Sequence, residues 1–131
     1  MNNLLSGCRV LVVEDEMMVL MNIEAALGDL GCAAIFAAPT VDRALALVEA
    51  KRFDVAILDV NLGASDQTSY RVADALALRS IPFVFSTGYS DKSIDARFLD
   101  RPVLQKPYLD EELGAALAGL LPAFALTPPS A

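Results

Sequence analysis

The chain has 131 residues, a length that suits one domain and is too short for two. Of these residues 55% are hydrophobic and 21% charged, a composition that can bury a core. It contains no histidine, which excludes a Ser-His-Asp triad, a Cys-His pair and a histidine-ligated zinc ion. A phosphate backbone would repel the net charge of −7, so we expect no direct contact with nucleic acid.

Two further classes of protein are disfavoured by the cysteines and the apolar stretches. Cys8 and Cys32 are too few for a disulfide framework or a four-cysteine metal site, and we expect buried free thiols. The N-terminus lacks the basic start and apolar run of a signal peptide. Pro122 interrupts the uncharged stretch 113–131, whose apolar part is shorter than the ~20 residues of a spanning helix. We therefore expect a cytoplasmic protein without membrane insertion.

The first half of the chain predicts two strand–helix units. Residues 9–13 form an apolar run typical of a strand covered on both faces. The apolar stripe of the following helix comprises Val19, Leu20, Ile23, Leu27 and Leu30. Gly31 is expected to end that helix in a left-handed conformation, and a weak strand follows over 33–37. Thr40 is the expected N-cap of the second helix. The inward positions of this helix are Val41, Ala44, Leu45 and Val48.

The second half predicts three more strands and two clear helices. A buried strand over 55–58 runs into Asp59, and a polar turn over 61–66 leads to the third helix. The inward positions of the third helix are Val72, Ala73 and Leu76. Strands are predicted over 83–85 and 103–104, separated by a polar segment with room for a short helix only. The apolar stripe of the last helix comprises Leu109, Leu113, Ala116, Leu117 and Leu120.

Strands that alternate with helices in this way predict an α/β fold with a parallel sheet and helices on both of its faces. In open sheets of this kind the functional site lies at the carboxyl ends of the strands. The residues that directly follow each strand are therefore the first candidates for function.

Charged and hydroxyl side chains follow four of the predicted strands. Glu14 and Asp15 come after the first strand, Asp59 after the third, Thr87 after the fourth and Lys106 after the fifth. Carboxylates at one sheet edge repel one another unless they share a cation, and Mg²⁺ prefers oxygen ligands of this kind. Taken singly, these residues are also typical of helix caps, turns or solvated loops. Taken together, they suit a phosphoryl group held on an acceptor.

Four segments resemble the receiver domains of bacterial two-component response regulators. They are residues 12–16 (VVEDE), 58–61 (LDVN), 85–88 (FSTG) and 105–107 (QKP). The resemblance implies a doubly wound, flavodoxin-like (βα)5 fold whose five-stranded parallel sheet has the strand order 2-1-3-4-5. It also implies a receiver domain over 8–121, with an N-terminal lead at 1–7 and a flexible tail at 122–131.

The resemblance also implies a role for each residue at the strand ends. Asp59 would be the phosphoacceptor, Thr87 the hydroxyl that senses the phosphate, and Lys106 the lysine of the family. The residues implied for Mg²⁺ are Glu14, Asp15, Asp59 and Asn61, the last through its backbone carbonyl. Glu14 is one methylene longer than the usual aspartate, so we expect it to act through water.

Two departures from the family pattern concern how a phosphate would be read out. Val103 stands where the family usually has an aromatic switch residue. The segment Phe85-Ser86-Thr87-Gly88-Tyr89 resembles the FATGUY motif of a stand-alone receiver subfamily. Tyr89 and Val103 are therefore candidate readout residues, and we expect phosphorylation to reorder residues 88–101.

The resemblance favours a signalling role over catalysis. Asp59 would accept phosphate from a sensor histidine kinase, and the protein would then bind a downstream partner, relay the phosphate or act as a phosphate sink. An aspartate phosphatase would need an acid where Asn61 stands, and a nucleotide carrier would need a glycine-rich loop. The remaining alternative is a degenerate receiver that works as a phosphorylation-independent interaction module.

Overall fold

A computed structural model of the chain describes residues 5–62, 67–88, 98, 101–106 and 108–121. In chain order its elements are β1 (Arg9–Val13), α1 (Met17–Asp29), β2 (Ala34–Ala38), α2 (Val41–Ala50), β3 (Val55–Asp59), β4 (Asn61–Leu62), β5 (Gln67–Thr68), α3 (Tyr70–Leu78), β6 (Phe83–Thr87), β7 (Val103–Gln105) and α4 (Asp110–Leu120).

Five of the strands form one parallel sheet in the order β2-β1-β3-β6-β7. The predicted parallel α/β fold is confirmed, and the order is the expected 2-1-3-4-5 once the short β4 and β5 are set aside. In the sheet Val13 lies opposite Leu58, and Asp59 lies opposite Ser86. The strands therefore end at nearly the same level, which brings the residues that follow them together.

A hydrophobic core covers each face of the sheet. Along β1, Leu11 and Val13 belong to the core under α2 and α3, whereas Val10 and Val12 belong to the core under α1 and α4. We call these the α2–α3 face and the α1–α4 face. All four of these side chains are fully buried. Burial of each such side chain stabilises the fold by roughly 1.5–3 kcal/mol. Because β1 is buried on both faces, its sequence is a continuous apolar run.

The predicted helix boundaries in the first half are confirmed. Gly31 has φ 90°, the left-handed conformation expected after α1. The hydroxyl oxygen of Thr40 accepts a hydrogen bond from the backbone N–H of Arg43 at 3.1 Å, so Thr40 caps α2. The weak strand β2 lies one residue later than predicted, at Ala34–Ala38.

The prediction for the start of the last helix is wrong at Leu109. This side chain is 64% exposed, because α4 begins at Asp110 and Leu109 precedes it in extended backbone. Its backbone N–H donates to the Glu112 carboxylate at 2.8 Å, which stabilises the first turn. The inward face of α4 instead centres on Leu113 and Leu117, both buried.

A short antiparallel hairpin replaces the simple polar turn expected after Asp59. Asn61 pairs with Thr68 and Leu62 pairs with Gln67. Leu62 is fully buried, and the backbone N–H of Ser69 donates to the carbonyl of Val60 at 2.9 Å. The hairpin therefore holds the chain beyond β3 against the domain.

Several expectations fall partly or wholly outside the described residues. The tail 122–131 and Tyr89 lie outside them, as does most of the segment 88–101. At the other end, Leu5 lies within the expected N-terminal lead. Its side chain is fully buried, and its N–H donates to the carbonyl of Leu30 at 3.0 Å. Among the described residues, none of the helices has the length and apolar character of a membrane-spanning segment.

The two cysteines are free thiols, as expected. Cys8 is buried and Cys32 is half-buried, and both contribute to the α1–α4 face. Burial raises the pKa of both thiols, to about 11 for Cys32. Neither thiol is therefore set up as a nucleophile.

Candidate functional site

Three carboxylates meet at the carboxyl edge of the sheet, where β1 and β3 lie side by side. Oxygens of Glu14, Asp15 and Asp59 all lie within 4.8 Å of one another. Glu14 and Asp59 are buried, at 1% and 7% exposure, and Asp15 is half-buried. The close packing of three acids away from water is costly for their ionised forms.

One lysine balances part of this charge. The ammonium of Lys106 lies 3.0 Å from Oε1 of Glu14 and 3.4 Å from Oδ2 of Asp59. Its backbone N–H donates to the carbonyl of Thr87 at 2.7 Å, which ties the end of β7 to the end of β6. Burial by itself would lower the pKa of Lys106, but the hydrogen bond to Glu14 and the two negative charges raise it above its usual value. Lys106 therefore stays cationic.

The environment of Asp59 favours its protonated form. Burial, and next the negative charge of Glu14, raise the pKa of Asp59 to about 7, while Lys106 acts in the opposite direction. Without a further cation, ionised Asp59 therefore costs stability at neutral pH. A bound divalent cation would remove this cost.

Asp59→Asn is expected to stabilise the protein in buffer without divalent cations. At pH 8 the gain should be roughly 2–4 kcal/mol, at about 1.4 kcal/mol per pKa unit. The pKa is raised on folding, so the penalty for ionised Asp59 is absent below about pH 4 and complete above about pH 7. The gain should therefore shrink as the pH falls. Urea unfolding of both proteins at pH 8 and pH 4.5 measures it.

Two conditions check this explanation. Lys106 keeps Glu14 as its partner at 3.0 Å, so the variant does not leave the lysine unpaired. Adding Mg²⁺ should stabilise the wild type and leave Asp59→Asn nearly unchanged, which narrows the difference. A variant that is less stable than the wild type at pH 8 would contradict the explanation.

The other residues predicted for the site are Thr87, Asn61 and Val103. Thr87 is 3% exposed at the end of β6, and Asn61 is exposed, two residues beyond Asp59 in the hairpin. Val103 is 45% exposed on the edge strand β7, opposite Phe85. The structure thus brings the carboxylates of Glu14, Asp15 and Asp59 within 4.8 Å of one another and the Lys106 ammonium against two of them. It leaves Val103 on the surface.

Each carboxylate oxygen of Glu14 accepts one hydrogen bond. Its Oε1 accepts from Lys106, and its Oε2 accepts from the backbone N–H of Glu16 at 3.1 Å. The extra methylene lets the carboxylate reach the lysine across two strands. Contact through water, as expected from the sequence, remains a prediction for a metal-bound state.

Two residues near the site were missed by sequence reasoning. Ser86 lies directly opposite Asp59 in the sheet and is 1% exposed, and Tyr108 is a half-buried residue two positions after Lys106. The strand period of two could have identified Ser86, because it places Ser86 on the same face as Val84. No sequence signal indicated where the Tyr108 hydroxyl would lie.

Comparison with known protein families identifies the family of this chain. Residues 10–118 match the response regulator receiver domain, and the chain belongs to this family. A search of curated proteins found no match.

Solved structures include close relatives. The solution structure of SdrG from Sphingomonas melonis Fr1 is 48% identical, has a TM-score of 0.74, and is matched over 87% of this chain and 96% of SdrG. The BeF3-activated conformation of SdrG from Pseudomonas melonis Fr1 is 49% identical, with a TM-score of 0.73 and coverage of 93% and 100%. PhyR from Bartonella quintana is similar in fold, at 24% identity and a TM-score of 0.71, over 86% of this chain and 47% of that chain.

Proposed function

We propose that this receiver works as a stand-alone response regulator in which Asp59 accepts a phosphoryl group from a histidine kinase. The observation that carries the proposal is the meeting of Asp59 with two further acids and the Lys106 ammonium at the carboxyl edge of the sheet. The match to SdrG over nearly its whole length supports the stand-alone form. The protein would act in the cytoplasm, where histidine kinases present their phosphohistidine.

The chemistry is transfer of a phosphoryl group to a carboxylate. An oxygen of Asp59 attacks phosphorus and forms a P–O bond, while the P–N bond of phosphohistidine breaks and its electron pair returns to the imidazole. With acetyl phosphate as donor, the P–O bond to the acetyl group breaks and acetate leaves. Lys106 would balance the charge on the phosphoryl oxygens, and the Thr87 hydroxyl would donate to one of them.

The acid cluster fits a magnesium ion. Its three carboxylates offer the hard oxygen ligands that Mg²⁺ prefers, within 4.8 Å of one another. Asp15, Asp59 and the backbone carbonyl of Asn61 would hold the ion, with Glu14 acting through water. When bound, Mg²⁺ would neutralise charge on the phosphoryl oxygens.

Asp15→Asn is expected to weaken Mg²⁺ binding by about tenfold or more, because it removes one anionic ligand from the cluster. Asp42 offers a matched control, since it is exposed on α2. Titration calorimetry with Mg²⁺ should give wild-type affinity for Asp42→Asn. Equal affinities for Asp15→Asn and the wild type would remove Asp15 from the metal site.

Beryllofluoride, a phosphoryl analogue, distinguishes this function from that of a phosphorylation-independent interaction module. The SdrG relative has a BeF3-activated conformation, so the same response is expected in this chain. With Mg²⁺ present, amide NMR signals should shift at the ends of β1, β3 and β6, and hydrogen exchange should change within 88–101. An unchanged spectrum would favour the phosphorylation-independent module.

The phosphorylated state must also be transmitted from Asp59 to a downstream protein. We infer that Tyr89 and the segment 88–101 transmit the phosphorylated state, since Val103 is too small and too exposed for an aromatic switch. Membership of the FATGUY subfamily would agree with this. The output would then be binding of a downstream protein, relay of the phosphate or its removal as a sink.

A further inference from the structure

The α1–α4 face carries two buried hydroxyl groups that the proposed chemistry does not use. They belong to Ser86 on β6 and to Tyr108, which lies between β7 and α4. Both hydroxyl oxygens are inaccessible to water, and neither makes a hydrogen bond of ordinary geometry among the described residues. Buried hydroxyls without a partner are costly, so two of them beside one site call for a physical reason.

The sheet register places Ser86 inside the site. Ser86 lies opposite Asp59, and paired residues of parallel strands direct their side chains to the same face. Strand β6 lies between β3 and β7. The Lys106 side chain starts just beyond β7 and reaches Asp59 at 3.4 Å, so it crosses the end of β6. Ser86 is the last residue of β6 that faces this side.

Tyr108 follows Lys106 by two residues, between β7 and α4. Its ring packs against the core of the α1–α4 face. Burial raises the pKa of its phenol, while the Ser86 hydroxyl and the charge of Lys106 act to lower it. The phenol therefore lies near enough to the Ser86 hydroxyl and the Lys106 ammonium to interact with both.

We propose that Ser86 and Tyr108 act as a hydroxyl pair that positions Lys106 for phosphoryl transfer to Asp59. The Tyr108 hydroxyl donates to Oγ of Ser86, and the Ser86 hydrogen is left to turn toward Asp59 or a phosphoryl oxygen on it. The backbone at Lys106 is then held at two points: its own N–H donates to the Thr87 carbonyl at 2.7 Å, and the pair anchors the chain two residues later. Both are positioning residues, and the proposal rests on the proposed function of Asp59.

The test removes one hydroxyl at a time. Tyr108→Phe and Ser86→Ala are compared with the double variant in acetyl phosphate phosphorylation at saturating Mg²⁺. Each single variant should lower kcat by about 3- to 10-fold, as expected for the loss of one hydrogen bond, with KM unchanged. The double variant should be no slower than the slower single variant, because either deletion breaks the pair.

Two controls separate positioning from structural damage. Mg²⁺ affinity should stay within about twofold of wild type in every variant, since neither hydroxyl is a proposed metal ligand. Tyr70→Phe removes a hydroxyl on the α2–α3 face, where Tyr70 stacks on Phe98 at 5.5 Å, and should phosphorylate at the wild-type rate.

The outcomes are distinct. Wild-type kcat in both single variants, or a loss of kcat matched by an equal loss of Mg²⁺ affinity, overturns the positioning role while leaving the function of Asp59 intact. Fully additive losses in the double variant overturn the pair. A wild-type protein that takes no label from acetyl phosphate contradicts the proposed function, and the positioning role with it.

Discussion

Asp59→Asn is expected to reduce labelling by acetyl phosphate to below about 1% of the wild-type rate. The amide cannot form an acyl phosphate by attack on phosphorus, whereas the ionised carboxylate beside Lys106 can. The substitution keeps the size of the side chain and is not expected to unfold the protein, so lost labelling reports the loss of the acceptor. Phosphate-affinity electrophoresis after incubation with Mg²⁺ measures the effect.

Asp42→Asn again provides the matched control, because Asp42 is an exposed aspartate on α2. It should label at the wild-type rate. Wild-type labelling of Asp59→Asn would show that another group accepts the phosphate.

Lys106→Met is expected to lower the free energy of unfolding by roughly 2–4 kcal/mol in buffer without divalent cations. The ammonium is the cation that contacts both Glu14 and Asp59, and Glu14 is 1% exposed. Methionine keeps most of the aliphatic stem, so the loss reports the missing charge rather than missing packing. The same variant should also phosphorylate more slowly, since the charge on the phosphoryl oxygens is less well balanced.

The double variant Glu14→Gln/Lys106→Met tests the cause of this loss. Removing both charges should recover more than half of the lost stability, because no unpaired carboxylate remains buried at position 14. Lys51→Met is the surface control and should change the stability little. Chemical unfolding measures all three. A double variant as unstable as Lys106→Met would contradict the assigned role of the ion pair.

The sequence was sufficient where short-range rules decide the structure. The left-handed conformation of Gly31 and the cap at Thr40 are local features with known residue preferences, and both predictions are confirmed. The buried strands β1 and β3 are continuous apolar runs. Their alternation with helices was enough to predict the parallel sheet and the meeting of Asp59 with Lys106 at its edge.

The features that were missed depend on tertiary contacts. Two-residue strands such as Asn61–Leu62 carry no periodicity, so the sequence predicts only a turn where the structure has a hairpin. Leu109 fits the helical period but lies one residue before the helix. Glu14 and Lys106 are 92 positions apart along the chain. The sequence could predict that both lie at the same edge of the sheet, but not that they form an ion pair.

Mapping the phosphorylated residue tests the central claim most directly. Acyl phosphates are reduced by borohydride, which would convert a phosphorylated aspartate into homoserine. After incubation of the wild-type protein with acetyl phosphate and Mg²⁺, peptide mass spectrometry should find homoserine at position 59 and at no other aspartate. Homoserine at Asp15 or at a surface aspartate instead, or its absence from a protein that binds Mg²⁺, would contradict the assignment of Asp59 as phosphoacceptor.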